Sequence, residues 1–110
     1  MKNRKIGGVN VPPLGLGCMN LSHAYGEPPS REDALEVLHR AFDLGVRHFD
    51  TAALYGFGRN EELVGSVLSG QRSRIFLASK CGMTGVDGRR VNVDVWALRS
   101  LRSRRWVVDF

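Results

Sequence analysis

Three residues of this sequence carry side chains that together could transfer a proton: the carboxyl of Asp50, the phenol of Tyr55 and the amine of Lys80. A tyrosine hydroxyl has a pKa of about 10 and is a poor acid at neutral pH unless its phenolate is stabilised. A lysine ammonium nearby lowers the pKa of a phenol, and a carboxylate holds that ammonium in place and charged. We therefore expect Tyr55 to donate a proton to a carbonyl oxygen, or to remove one from an alcohol in the reverse direction.

Asp50 and Lys80 each follow a short apolar segment of the kind that forms a buried strand. These segments are residues 46–50 and residues 75–79. If both are parallel strands of one sheet, their carboxyl ends lie at the same edge, roughly 5 Å apart for neighbouring strands. A lone Asp–Lys pair at strand ends is more often structural than catalytic. The position of Tyr55 on the following loop is what favours chemistry.

Two amphipathic helices are expected between the strands. Ser30 can cap the first helix, with Gly45 beyond its end, and Asn60 can cap the second, with Gly70 beyond its end. Acidic residues follow each cap, where the helix dipole favours negative charge. Before the first helix, residues 5–11 have the composition of a tight β-hairpin.

The predicted order is a hairpin followed by strand, helix, strand, helix and strand, with strands beginning near Leu14, Val46 and Ile75. Intervals of about thirty residues are typical of consecutive βαβ units in a parallel sheet. A doubly wound sheet and a (β/α)8 barrel both have this order. A dinucleotide-binding sheet would want Gly-x-Gly-x-x-Gly, and Gly15 and Gly17 have no third glycine at the required place. We favour the barrel, whose active sites lie at the carboxyl ends of its strands.

Length and composition exclude several classes of protein. The chain has 110 residues, 43% of them hydrophobic, which suits one domain or part of one. No apolar run is long enough to span a bilayer and no apolar signal segment follows the N-terminus, so we expect a cytoplasmic protein without membrane contact. Cys18 and Cys81 have no metal-ligand spacing, so both are expected to be reduced thiols and no metal site is expected.

The net charge of +5 is concentrated near the C-terminus. Residues 1–88 contain ten basic and nine acidic side chains, whereas residues 89–110 contain six and two. A chain-wide basic face, which binding of nucleic-acid phosphates would want, is therefore absent. We expect no nucleic-acid partner, and a basic nucleic-acid-binding module is an alternative that depends on the arginine-rich tail alone.

Four segments, in the correct order, resemble the N-terminal third of an aldo-keto reductase. They are residues 14–19, residues 49–52 with 55–56, residues 60–65 and residues 78–80, which read LGLGCM, FDTA with YG, NEELVG and ASK. The likeness extends from Arg4 to Arg90, and residues 22–25 and 80–85 resemble bacterial and fungal members of the pyridoxal-reductase-like kind. The resemblance implies an α/β protein, the N-terminal part of a (β/α)8 TIM barrel with an N-terminal β-hairpin. It also implies NADPH as hydride donor and a small aldehyde or ketone as substrate.

The same resemblance implies roles for individual residues. Tyr55 would be the general acid, and Lys80 and Asp50 would be the pair that adjusts the pKa of its phenol. The main cofactor contacts of this family, including those to the adenosine phosphate, lie in the second half of the barrel. The positions that remain for the nicotinamide end of NADPH are Asp50 and the rim after the first strand, Gly17, Cys18 and Met19.

The chain departs from the family in two respects. The family's catalytic histidine follows the fourth strand, whereas the histidines of this chain, at positions 23, 39 and 48, all precede Lys80. His48 alternates with apolar neighbours and is expected to be a packed strand residue. The likeness also fades from Val91 onward. We therefore divide the chain into residues 1–90, the N-terminal βα units of the barrel, and residues 91–110, an arginine-rich tail consistent with truncation or a frame shift.

Two functions follow from these expectations. The first is carbonyl reduction with NADPH, carried by an N-terminal fragment of an aldo-keto reductase. The alternative is a non-catalytic remnant that needs a partner or an oligomer to fold, because an incomplete barrel leaves an open sheet edge through which chains can self-associate.

Overall fold

The computed structural model describes residues 2–6, 8–22, 26–80, 83–86 and 89–92. Its strands are β1 (Arg4–Ile6), β2 (Val9–Val11), β3 (Leu16–Gly17), β4 (His48–Asp50), β5 (Phe76–Ala78), β6 (Met83–Val86) and β7 (Arg89–Asn92). Its α-helices are α1 (Arg31–Asp43) and α2 (Arg59–Leu68), and its 3₁₀ segments are Met19–Leu21, Tyr55–Gly58 and Ser69–Arg74. The arginine-rich tail beyond residue 92 lies outside the described residues.

Strands β3, β4 and β5 form a parallel sheet in that order, with β4 in the centre. Gly17 of β3 pairs with Asp50 of β4, and Asp50 pairs with Ala78 of β5. Helix α1 connects the first two strands and α2 connects the second two, so the predicted pair of βαβ units is confirmed. Within the described residues, β3 and β5 each pair with a strand on one side.

Two antiparallel hairpins accompany this sheet. Strands β1 and β2 pair with Arg4 opposite Val11 and Ile6 opposite Val9, which confirms the predicted N-terminal hairpin. Strands β6 and β7 pair with Met83 opposite Asn92. This second hairpin follows β5, and the sequence pattern of residues 83–92 did not predict it.

Helix α1 begins and ends as its sequence predicts. The Ser30 hydroxyl accepts a hydrogen bond from the backbone N–H of Asp33 at 3.1 Å and donates one to the Asp33 carboxylate at 2.8 Å. Gly45, with φ +95°, follows the helix and donates its N–H to the Phe42 carbonyl at 3.0 Å. Only a residue without Cβ adopts this backbone conformation readily, so Gly45 turns the chain toward β4.

The expectation that Asn60 caps α2 is wrong. The helix begins at Arg59, and the residue before it, Gly58, has φ +94°. Asn60 lies inside the first turn and is fully buried, because its amide bonds to groups on other segments of the chain. Gly70 lies beyond the end of α2, as predicted, and belongs to the 3₁₀ segment Ser69–Arg74 that follows the helix.

The core lies between the two helices and one face of the parallel sheet. The buried side chains of this core are Cys18, Ala34, Leu38, Phe49, Leu63, Val64, Leu68 and Ile75. Since side chains alternate along a strand, Phe49 faces the helices whereas His48 and Asp50 lie on the opposite face. On that face the His48 ring packs edge-on against Phe76 with 5.2 Å between ring centroids, which confirms its expected packing role.

Arg47 fastens the turn between α1 and β4. Its guanidinium Nη1 donates to the carbonyls of Phe42 at 2.6 Å and Val46 at 2.8 Å. The Cζ atom of Arg47 lies 3.9 Å from the centroid of the Phe42 ring, which is a cation–π contact. The end of the helix and the start of the strand are thus held by one side chain.

None of the helices in the described ranges is long and apolar enough to cross a membrane.

Candidate active site

The carboxyl ends of β4 and β5 bring two opposite charges together. Asp50 is the last residue of β4, and Lys80 follows β5 by two residues. Because the two strands are parallel neighbours, the Lys80 ammonium Nζ reaches the Asp50 carboxylate Oδ1 and forms a salt bridge. The Lys80 side chain is 52% exposed and that of Asp50 39% exposed, so the pair is open to a ligand.

Tyr55 completes this group from the loop that follows β4. Its backbone N–H donates to the Ala52 carbonyl at 3.0 Å, where the 3₁₀ segment begins. The Lys80 Nζ lies 5.0 Å from the centroid of the Tyr55 ring and donates a further hydrogen bond to the Thr51 carbonyl at 3.3 Å. The structure therefore gathers Asp50, Tyr55 and Lys80 in one place, as the strand order predicts.

The charge of Lys80 is set by competing effects. Partial burial disfavours the ammonium, but its contacts with the Asp50 carboxylate and the Tyr55 phenol outweigh this and raise the pKa of Lys80 above its usual range. Lys80 is therefore a fixed positive charge at neutral pH.

The loop after Tyr55 turns sharply through left-handed backbone conformations. Gly56, Phe57 and Gly58 have φ values of +58°, +54° and +94°. A Cβ on Gly56 would lie 3.0 Å from the Ser22 carbonyl oxygen, so the Tyr55 loop is packed closely against the loop that follows β3. Non-glycine residues such as Phe57 rarely adopt these φ values, and the residues that do are concentrated at functional sites.

The predicted cofactor rim lies directly beside Asp50. Gly17 is its register partner, is exposed, and has nothing within 4 Å of the place where a Cβ would stand. Met19 is half-buried at the start of the following 3₁₀ segment. The space beside Gly17 is therefore open next to the Asp50 carboxylate.

Cys18, predicted as part of the same rim, has its polar groups engaged within the chain. Its N–H donates to the Asp50 carbonyl at 2.8 Å and its thiol to the Leu16 carbonyl at 3.6 Å. The side chain is fully buried, and burial raises the pKa of the Cys18 thiol to about 11. Cys18 is therefore the buried residue of the rim, bonded to the end of β4, whereas Gly17 and Met19 are its accessible residues.

A sequence model of the aldo/keto reductase family matches residues 13–105 of the chain. The chain belongs to the aldo/keto reductase family.

Three relatives of this aldo/keto reductase chain illustrate the match. The chain is 48% identical over 81 residues to the aldo-keto reductase yakc of Schizosaccharomyces pombe, whose name includes NADP(+). This match covers 72% of the chain and 24% of the relative. The chain is 40% identical over 90 residues to the uncharacterized oxidoreductase YqkF of Bacillus subtilis, and this match covers 80% of the chain and 28% of the relative. A probable aldo-keto reductase of Glycine max is 43% identical to the chain over 77 residues, and this match covers 69% of the chain and 22% of the relative. The chain spans about a quarter of the length of these curated relatives.

Solved structures agree with the fold. The chain superposes on the holo form of an aldo-keto reductase from Bacillus halodurans with a TM-score of 0.68 at 36% identity, covering 81% of this chain and 28% of that one. Superposition on a glycerol dehydrogenase from Gluconobacter oxydans gives a TM-score of 0.70 at 26% identity and covers 92% of this chain and 35% of that one. These neighbours are (β/α)8 barrels, so the strands β3, β4 and β5 of this aldo/keto reductase chain are consecutive parallel strands of such a barrel. The predicted fold class is confirmed.

Sequence reasoning missed the role of one residue of this site, Asn60. The Thr51 hydroxyl donates to Asn60 Oδ1 at 2.6 Å, and Asn60 Nδ2 donates to the Cys18 carbonyl at 2.7 Å and to Ser22 Oγ at 2.6 Å. Cys18 and Ser22 lie 42 and 38 residues away along the chain. The local sequence, an asparagine before two glutamates, is also that of a helix cap, so nothing local distinguishes the two roles.

The remaining candidates lie apart from this group. His48 packs on Phe76, and His39 is on the exposed side of α1. His23 and Cys81 lie outside the described residues. Within the ranges that the structure describes, no group of three or more His, Cys, Asp or Glu side chains could hold a metal ion.

Proposed function

We propose that this chain carries the proton-donating part of an NADPH-dependent oxidoreductase that reduces a small aldehyde or ketone to an alcohol. The observation that carries the proposal is the position of the Lys80 ammonium, which pairs with Asp50 and lies 5.0 Å from the centroid of the Tyr55 ring. Membership of the aldo/keto reductase family supports the reaction class. The name of the Schizosaccharomyces pombe relative supports the choice of NADPH.

The chain's own residues account for the proton transfer. The Tyr55 hydroxyl donates its proton to the carbonyl oxygen of the substrate as negative charge develops there. The Lys80 ammonium stabilises the phenolate that remains, and the Asp50 carboxylate keeps this ammonium in place. In the reverse direction the phenolate removes the proton of an alcohol.

The cofactor fits beside these residues. When bound, NADPH supplies the hydride that reduces the carbonyl carbon. Its nicotinamide end would be held by the exposed rim at Gly17 and Met19 and by Asp50, where the backbone is open. Cys18, also expected at this rim, would hold the Asp50 carbonyl rather than contact the ring.

Replacement of Tyr55 tests the mechanism. In the context of a full-length barrel, Tyr55→Phe removes the proton donor and leaves the Asp50–Lys80 pair and the rim intact, so we expect carbonyl-dependent NADPH oxidation to be lost while NADPH binding is retained. The measurements are absorbance at the NADPH band with a panel of aldehydes and ketones, and quenching of the fluorescence of bound NADPH.

Phe57→Tyr is the control, because it keeps Tyr55 and adds a second phenol on the same loop. Turnover by Tyr55→Phe equal to that of the unmodified chain would remove Tyr55 from the mechanism. Failure of the unmodified chain to bind NADPH would overturn the proposed function itself.

The alternative function is that of a non-catalytic remnant that requires a partner or a second copy. The observation that favours it is that, within the described residues, β3 and β5 each pair on one side. Sedimentation of the chain with and without NADPH distinguishes the two: binding of NADPH by the chain supports the enzyme, and an oligomer that does not bind NADPH supports the remnant.

A further inference from the structure

We propose that Asn60 is a positioning residue that sets the places of Asp50, Tyr55 and Lys80 relative to one another. Its side-chain amide bonds to three groups, and each of these groups is one contact away from a different member of the site. What the positioned residues do rests on the proposed function. The arrangement itself rests on hydrogen bonds within the described chain.

The first connection leads to Asp50. Asn60 Nδ2 donates to the Cys18 carbonyl at 2.7 Å, and the Cys18 N–H donates to the Asp50 carbonyl at 2.8 Å. The amide therefore holds the rim after β3 against the end of β4. A displacement of Cys18 would release both the last carbonyl of β4 and the neighbouring residues of the rim.

The second connection leads to Lys80. The Thr51 hydroxyl donates to Asn60 Oδ1 at 2.6 Å, and the Thr51 carbonyl accepts from Lys80 Nζ at 3.3 Å. The Thr51 N–H donates to the Ala78 carbonyl at 2.9 Å, which extends the pairing of β4 and β5 beyond Asp50. Thr51 is fully buried, so its orientation depends on these bonds rather than on solvent.

The third connection leads to Tyr55. Asn60 Nδ2 also donates to Ser22 Oγ at 2.6 Å. The Ser22 carbonyl lies 3.0 Å from the place that a Cβ of Gly56 would take, so Ser22 is the surface on which the residue after Tyr55 rests. The bond from Asn60 to Ser22 therefore holds the residue against which Gly56, next to Tyr55, packs.

An amide suits this position because two donated bonds and one accepted bond are needed in a space closed to water. Asn60 is fully buried, and its Nδ2 and Oδ1 atoms all have partners. A carboxylate of the same shape would offer acceptors to the Cys18 carbonyl, and an apolar side chain would leave the buried partners unpaired. A fully bonded polar network of this kind gives one defined arrangement.

Local hydrogen exchange and the titration of Lys80 test the proposal in the full chain. The variants are Asn60→Leu, which keeps the shape and removes all three bonds, and Thr51→Val and Ser22→Ala, which each remove one. Ser66→Ala is the matched control, because the Ser66 hydroxyl donates to the Leu63 carbonyl at 2.7 Å within the same helix.

For the exchange measurement, we compare the N–H groups of Tyr55 and Phe57, which donate to Ala52 and Leu54, with that of Leu44 at the end of α1. We expect Asn60→Leu to speed exchange at Tyr55 and Phe57 at least tenfold relative to Leu44. Thr51→Val and Ser22→Ala should give smaller increases. Ser66→Ala should leave the ratio unchanged, because a loss of global stability alone affects all three groups alike.

For Lys80, an NMR titration of its Cε signal reports whether the ammonium keeps its partners. We expect its midpoint to fall toward that of an ordinary lysine in Asn60→Leu and Thr51→Val, and to stay in place in Ser66→Ala. If Asn60→Leu does not fold, the two single-bond variants decide. Unchanged exchange ratios and Lys80 midpoints in folded variants would overturn the proposal. Because neither readout needs NADPH, absence of turnover by the unmodified chain would count against the proposed function alone.

Discussion

The Lys80 ammonium contacts three neighbouring residues. It bonds to the Asp50 carboxylate and the Thr51 carbonyl and lies over the Tyr55 ring. Burial lowers the pKa of Lys80, and the contacts with Asp50 and Tyr55 raise it by more. The folded chain therefore holds this proton more tightly than the unfolded chain does, so the resulting stability is present below the usual lysine pKa of about 10.4 and is lost as the pH rises through the folded pKa.

Asp50→Asn should lower the pKa of Lys80, because it removes the carboxylate that favours the ammonium. The chain contains three lysines, so ¹³C-labelled lysine gives a resolvable set of Cε signals for an NMR titration. The variant should also lose less stability than the unmodified chain between pH 10 and pH 12, roughly the range above the ordinary lysine pKa. Asp43→Asn, at the end of α1, is the control. Equal Lys80 midpoints in Asp50→Asn and the unmodified chain would show that the ion pair does not set this charge.

Cys18 should be nearly inert toward alkylating reagents in the folded chain. Burial raises the pKa of its thiol to about 11, and the thiolate is the reactive form. At pH 8 the folded chain should therefore react with iodoacetamide at least about a hundredfold more slowly than the chain in urea, since an ordinary thiol has a pKa of about 8.5. Mass spectrometry of the Cys18 peptide in a Cys81→Ser background measures this. Similar rates in the two states would contradict the buried position of Cys18.

At the residue scale, the sequence predicts contacts that follow from strand order and misses those that do not. Asp50 and Lys80 could be paired in advance because parallel neighbouring strands place their carboxyl ends together. Asn60 could not, because its partners Cys18 and Ser22 come from a loop far earlier in the chain, and its local sequence equally suits a cap. The catalytic and cofactor roles of the site residues stay predictions.

The segment Tyr55–Gly58 is the element on which the orientation of the phenol depends. Its three successive residues with positive φ reverse the chain between β4 and α2 within a single tight turn. The turn rests against Ser22 of the preceding loop. Its shape is therefore determined both by backbone conformation and by a close contact.

Gly56→Ala should lower the free energy of unfolding by about 1–2 kcal/mol, because an alanine is strained in a left-handed conformation. It should also shift the Lys80 titration, because the new Cβ would lie 3.0 Å from the Ser22 carbonyl and displace the Tyr55 loop. Gly45→Ala separates the two effects, since Gly45 has φ +95° but nothing within 4 Å of its Cβ position. That control should lose stability in urea denaturation without moving the Lys80 signal. A Lys80 shift of equal size in both variants would contradict this account of the loop.

At the element scale, periodicity and caps predict the helices well and the strand ends less well. Ser30 and Gly45 mark α1 correctly because each acts on the residues immediately beside it. The first parallel strand was expected to begin near Leu14 but is confined to Leu16–Gly17, since the Cys18 carbonyl bonds to Asn60 and a 3₁₀ segment begins at Met19. The hairpin of β6 and β7 has no counterpart among the predicted elements.

The whole chain represents about a quarter of its curated relatives, and its sheet has two open edges within the described residues. One face of this sheet packs on the helices, and the other carries half-buried side chains such as His48 and Phe76. An unpaired strand edge next to apolar surface is a template for association between chains.

The isolated chain should therefore self-associate as its concentration rises from about 1 µM to 1 mM, the range in which exposed strand edges cause aggregation. Phe76→Lys should weaken this association, because an inward-facing charge on an edge strand opposes edge pairing. Val37→Lys on the exposed face of α1 is the control for added charge. Sedimentation velocity measures both variants. A monomer throughout this range would rule out association through the sheet edge.

Arg47 immediately precedes β4, at the opposite end of this strand from Asp50. Its guanidinium is held between two backbone carbonyls and the Phe42 ring, and the strand rises only about 10 Å between Arg47 and Asp50. One side chain thus anchors the base of the strand whose other end carries the Asp50 carboxylate. A lysine at position 47, without the planar fork of arginine, could not hold both carbonyls in the same way, so the start of the strand would be less firmly anchored.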